Sequence, residues 1–224
     1  MRFELQIKSN QEREKMTAPA APVCYLRGTR IATPNGEREI EDLHIGDEVL
    51  TASGAIRPIK WIGRMFYPKS RREWQRRVLP VLIAKGALGN ALPKRDLLVS
   101  QAHMMLIDGV LIEARFLLNG GSIRISDQTT ASELVFYHIE LSSHDALLAE
   151  GQPAETLRAN CRHREKFANF GEYLRLYPNE GRAMPKPFAP VHKPSLLVRL
   201  VQALGLEGQV STDANASLLE KTNV

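Results

Sequence analysis

The sequence predicts an all-β domain over roughly residues 24–156. Apolar residues come in short runs rather than in long stretches of helical period, turn signals separate the runs, and the texture changes abruptly at Cys24. Before that point the chain is a polar, charged stretch over residues 1–16. A proline-containing linker of small residues, TAPAAPV, follows and is expected to be extended and exposed.

The elements follow in order. RIAT and PNGERE are β-type runs, with Pro34-Asn35-Gly36 a hairpin turn signal between the strand-like parts. VLT and ASGAIRPIKWIG are further runs, with Ser53-Gly54 a second turn. Residues 77–83 (RVLPVLI) read as a strand that Pro80 confines to an edge or a bulge. Residues 96–99 and 104–107 are strands on either side of Ser100–His103. Asp108-Gly109 then turns the chain into residues 110–112. Residues 134–141 form the clearest strand, and residues 146–149 a short one. Beyond Thr156, residues 158–176 read as helical or irregular. Residues 185–194 hold four prolines. Residues 194–206 carry helical apolar spacing, with Pro194 near the start.

Composition excludes several classes. A chain of 224 residues, 43% hydrophobic and 25% charged, suits one soluble domain with appendages. Two cysteines cannot make a disulfide scaffold or a four-thiolate zinc site, so each reads as a single thiol. No apolar run approaches the roughly 20 residues that span a bilayer, and the N-terminus lacks the apolar region of a secretory signal. These features predict a cytoplasmic protein with reduced thiols. The net charge of +5 does not decide function.

Cys24 opens the β domain in the context CYLRGTRIATPNGEREIEDLHIGDEVL. This segment resembles the first block of the Hedgehog/intein (Hint) superfamily. The matching positions are Cys24, Gly28, Thr29, Gly36, Glu41, Asp42, Leu43, Gly46, Asp47, Val49 and Leu50. Two further blocks agree. LVSQAHMML is similar to the family's Thr-x-x-His block, with Ser100 in the threonine place and His103 as the histidine. VFYHIELSSHDALLAEG is similar to the late strand and turn, with His144 at the recurrent histidine. The likeness is greatest to bacterial stand-alone Hint-domain proteins. It implies a horseshoe-like disc of bent hairpins over residues 24–160. Residues 1–23 are then a leader, and residues 161–224 a mixed helical and irregular extension with a helix near 194–206.

The implied chemistry is self-processing. A thiol at the first residue of the domain can attack the carbonyl just before it, that of Val23, through a five-membered ring. The product is a thioester and a free amine on Cys24. The fold must strain or polarise the Val23–Cys24 bond and protonate the leaving nitrogen, which a histidine can do near neutral pH. The resemblance gives that role to His103, with Ser100 as its helper. His138 and His144 are further candidates, His138 to assist and His144 to assist or to fix the turn. No cofactor or metal is needed. The substrate is the chain's own N-terminal segment, and a water, thiol or amine resolves the thioester.

Full splicing needs a terminal His-Asn pair, and Gln152–Thr156 contains neither residue. Asn160-Cys161 has the right atoms, but Ala159 stands where the histidine should be. N-terminal cleavage or transfer therefore remains. Its rivals are a catalytically degenerate Hint-fold scaffold and a trans-acting cysteine hydrolase. Residues 57–77 hold eight Lys or Arg with aromatics interleaved, a pattern that can bind nucleic acid. The preferred reading is a β-run, IKWIG, followed by a solvated basic loop, with no nucleic-acid partner. A zinc site built from Cys161 and His163 has unsuitable spacing.

Overall fold

The computed structural model describes residues 23–69, 74–126, 130–158, 164–180 and 186–192. The leader up to residue 22, the Asn160-Cys161 pair, His163 and the expected helix near 194–206 lie outside the described residues.

Fourteen strands form among these residues: β1 (Tyr25–Leu26), β2 (Arg30–Thr33), β3 (Gly36–Glu39), β4 (Glu48–Leu50), β5 (Ile56–Pro58), β6 (Trp61–Pro68), β7 (Val81–Ile83), β8 (Leu97–Val99), β9 (Met104–Ile107), β10 (Val110–Glu113), β11 (Ile123–Ile125), β12 (Glu133–Glu140), β13 (Ala146–Ala149) and β14 (Gln152–Glu155). One sheet has the order β11-β7-β8-β1-β12-β6, a second β10-β9-β14-β13-β2-β3, and β4-β5 is a separate hairpin. The pairings between strands are antiparallel. One helix, α1 (Phe170–Leu176), follows the strands.

Local sequence explains most of these elements. Asp108 and Gly109 both have positive φ (48° and 77°), the left-handed pair that a two-residue hairpin loop requires between β9 and β10. Glu150 and Gly151 repeat this between β13 and β14. Strained Glu150 is held by bonds to its carboxylate from the Arg30 N–H (2.8 Å) and Arg95 Nε (2.7 Å).

Three expectations change. The run at 77–83 is not one strand. A single turn of tight helix, Arg76–Val78, precedes Pro80, and β7 begins only after it, because proline lacks the N–H that a ladder needs. IKWIG is not followed at once by a loop, since β6 runs on to Pro68. Within the basic tract, Trp61 and Tyr67 point inward and Lys60 is largely buried, so these two aromatics serve the core, while Phe66 on the other face of β6 is exposed. Finally, β1, β11 and β14 form where no strand is expected: β1 and the Ile-Arg-Ile alternation of β11 are too short to stand out, and β14 carries no β pattern.

Two apolar clusters fill the interior. The larger is mainly aliphatic and holds Ile31, Val49, Ile83, Leu97, Val99, Ile139 and Leu147. The second is aromatic and sulfur-rich: Cys24, Trp61, Met65, Tyr67, Phe136, Phe167 and Tyr173. Phe167 and Tyr173 reach it from beyond the β domain. Gly63 makes room for the first, because a Cβ at Gly63 would lie 2.5 Å from the Phe167 ring.

Candidate active site

Strand register builds the site. Tyr25 pairs with Val99 on β8 and with Tyr137 on β12. One residue further along both registers, Cys24 falls opposite Ser100 on one side and His138 on the other. Placing β1 at the centre of a sheet thus brings together residues 76 and 114 positions apart in sequence.

The hydrogen bonds follow this placement. The Cys24 N–H donates to Ser100 Oγ at 2.7 Å, and the Ser100 N–H donates to the Cys24 carbonyl at 2.8 Å. Nδ1 of His138 contacts the Val23 carbonyl oxygen. Both ends of the Val23–Cys24 peptide group therefore have a side-chain partner, Ser100 at the nitrogen and His138 at the oxygen.

His103 sits one turn after Ser100, and its N–H donates to the Ser100 carbonyl at 3.0 Å. Its ring is fully buried, and neither ring nitrogen has a partner among the described residues. The ring lies 4.3 Å from that of Tyr25 and 5.0 Å from that of His138, centroid to centroid. His144 lies outside this group. Its Nδ1 accepts the Phe188 N–H at 3.2 Å, and its Nε2 lies 2.9 Å from Glu155 Oε1.

Tyr25 and Glu155 complete the surroundings, and the sequence pointed to neither. The Tyr25 hydroxyl donates to the Ala154 and Glu155 carbonyls at 3.0 and 3.2 Å. The Glu155 carbonyl also lies 3.2 Å from His138 Nε2. Position alone could have signalled Tyr25, which follows Cys24. Glu155 has no signal, because β14 lacks a strand pattern.

Burial governs the electrostatics. It pushes the Cys24 thiol well up. It pushes His103 well below the ordinary imidazole range, with His138 as the second cause. His138 is lowered mainly by burial, and the Glu155 carboxylate opposes this. The resting site thus holds a neutral thiol beside neutral imidazoles, so the components of proton transfer are present but uncharged. Among the described residues, no three His, Cys, Asp or Glu side chains are grouped so as to hold a metal. None of the described helices is long and apolar enough to cross a membrane.

Several solved structures are similar to this chain. A MchDnaB-1 intein is 15% identical over 59% of this chain and 99% of its own, with a TM-score of 0.40. A bacterial intein-like domain from Clostridium thermocellum is 14% identical over 61% and 99%, with a TM-score of 0.42. The gp41-1 intein is 17% identical over 58% and 96%, with a TM-score of 0.41. No curated protein matches the chain. The family model of the Hint domain matches residues 23–160, which supports a function of the autoprocessing or splicing type in general. That match covers more than half of the 224 residues, and with the all-β architecture it means that the chain belongs to the Hint-domain family.

Proposed function

We propose that the chain performs an intramolecular N-to-S acyl shift at Val23–Cys24, followed by N-terminal cleavage or transfer without full splicing. One observation carries this reading: the peptide group before the cysteine is contacted at its oxygen by His138 and at its nitrogen by Ser100.

The steps balance with one proton moved. Cys24 Sγ gives its proton to a neutral imidazole and attacks the Val23 carbonyl carbon. A C–S bond forms, and negative charge develops on the Val23 oxygen, where an N–H on His138 Nδ1 stabilises it. The C–N bond then breaks, and the Cys24 nitrogen gains the proton that the thiol lost. His103 is the best-placed carrier by chemistry, since its buried ring nitrogens have no competing partner among the described residues. Ser100 positions the leaving nitrogen throughout. A water, thiol or amine then takes the acyl group from the thioester and restores the thiol.

The burial of Cys24 favours a second reading, a catalytically degenerate Hint-fold module. Intact-mass measurement separates the two. Release of residues 1–23, accelerated by thiol or hydroxylamine and abolished in Cys24→Ala, supports autoprocessing. An unchanged mass after prolonged incubation with both nucleophiles supports the module.

A further inference from the structure

Both ring nitrogens of His138 face carbonyl oxygens, Nδ1 that of Val23 and Nε2 that of Glu155 at 3.2 Å. A carbonyl oxygen only accepts, and a neutral imidazole has a single N–H to donate. Burial holds His138 below its ordinary range, so the resting ring is neutral. One of the two contacts therefore contains a proton and the other does not. The acyl shift needs that proton on Nδ1, because only there does it meet the Val23 oxygen as negative charge develops. Two equivalent carbonyls would not choose between the tautomers.

Tyr25 makes the two carbonyls unequal. Its side chain is fully buried, and its ring lies 4.3 Å from that of His103 and 5.9 Å from that of His138, centroid to centroid. Its hydroxyl donates to the Ala154 carbonyl at 3.0 Å and to the same Glu155 carbonyl at 3.2 Å. The Glu155 oxygen thus has a donor whether or not Nε2 carries a proton. The Val23 oxygen, by contrast, has His138 Nδ1 as its side-chain partner. The arrangement is held from outside, since β14 is paired with β13 on one side and β9 on the other. Burial and the Glu155 carboxylate keep the phenol proton in place, well above the ordinary phenol range, so the hydroxyl remains a donor.

We propose that Tyr25 is a positioning residue that, by donating to the Glu155 carbonyl, keeps the His138 proton on Nδ1 and aimed at the Val23 oxygen. The inference rests on the acyl-shift reading above and adds no step to it. The Tyr25 side chain gives up no proton and forms no covalent bond. It acts only through the imidazole beside it.

The test uses the full chain and has two parts. In a Cys24→Ala chain the peptide bond after Val23 stays intact, and NMR of 15N-labelled histidine reads the His138 tautomer. A His138→Gln chain identifies its signals. The proton is expected on Nδ1, and on Nε2 once Tyr25→Phe is added. Phenylalanine keeps a ring beside both imidazoles and removes the phenol donor, which leaves His138 Nε2 as the side-chain group placed to serve the Glu155 carbonyl. With Cys24 present, Tyr25→Phe should slow the release of residues 1–23 at saturating hydroxylamine by roughly tenfold, the weight of about one net hydrogen bond. Release at the wild-type rate overturns the role of Tyr25 and leaves the acyl shift standing. Slower release with an unchanged His138 tautomer overturns it too, since a ring that merely fills space would act in that way. A proton on Nε2 while Tyr25 is present overturns it without any variant at position 25, and so even where Tyr25→Phe fails to fold. No release from the wild-type chain overturns the acyl-shift reading, and the positioning role with it.

Discussion

Two segments beyond residue 160 dock on the β domain in different ways. Residues 164–180 are bolted down. Arg164 makes two bonds to Glu140, at 2.9 and 2.7 Å, and Lys60 joins the same carboxylate at 2.9 Å and also reaches Glu180. The Arg164 guanidinium lies 4.3 Å from the Tyr173 ring centroid, and Trp61 meets Phe167 and Tyr173 edge to face. Asn169 and Ala168 hydrogen-bond the outer edge of β6. Residues 186–192, by contrast, rest one ring on His144 and one on Phe116 and form a short bridge with β10. The first segment shares a core with Cys24 and belongs to the body of the domain. The second rests on the edge strand β10 and on His144, and a contact of that kind can open without unfolding the rest.

The largest test of this contrast is Glu140→Ala. It leaves Lys60 and Arg164 short of a buried counter-charge and should cost about 3–5 kcal/mol. A denaturant midpoint that barely moves would show that the first segment is no better anchored than the second. Phe167→Ala comes next. It removes a buried ring between Trp61 and Gly63 and should cost about 3 kcal/mol. Gly63→Ala attacks the same contact by overpacking, at about 1–3 kcal/mol.

A pH series is smaller again. His103 and His138 have folded-state pKa values below their unfolded values, so the unfolded chain binds more protons as pH falls. Stability should therefore be lost below about pH 6.5, by up to roughly 1.4 kcal/mol per pH unit for each histidine. The Cys24 thiol is raised, so its contribution is present at neutral pH. It is lost as pH rises past the unfolded thiol's range, near about 8.5. Chemical denaturation between pH 5 and pH 9.5 checks both limbs, and Cys24→Ala should flatten only the alkaline one. The smallest effect is Phe188→Ala, expected within about 0.5 kcal/mol as a surface change. A loss as large as that of Phe167→Ala would remove the distinction between the two segments.

Much of this organisation was legible in the chain. Asp108-Gly109 announced a hairpin, because few residue pairs tolerate two positive φ angles. Cys24, Ser100 and His103 stood out through their blocks; the structure hydrogen-bonds Cys24 to Ser100 and sets the His103 ring beside those of Tyr25 and His138. The strands that could not be read share a cause. β14 contains Gln152, Pro153 and Glu155, yet most of it is buried. Its place is set by β13 and β9 on either side, not by its own preference. β1 is only two residues long and exists because β8 and β12 flank it.

The sequence by itself determined the β class, the hairpin corners and the place of Cys24 at the opening of the domain. These depend on local dihedral preference, on alternation and on short blocks of residues that can be read without knowing which strands become neighbours. Tertiary structure alone decided that His138 meets the Val23 oxygen, that Glu155 links His138 to His144, and that residues 164–180 share the core of Cys24. Register between distant strands fixes such contacts. They depend on which strands become neighbours, and no short stretch of the chain carries that information.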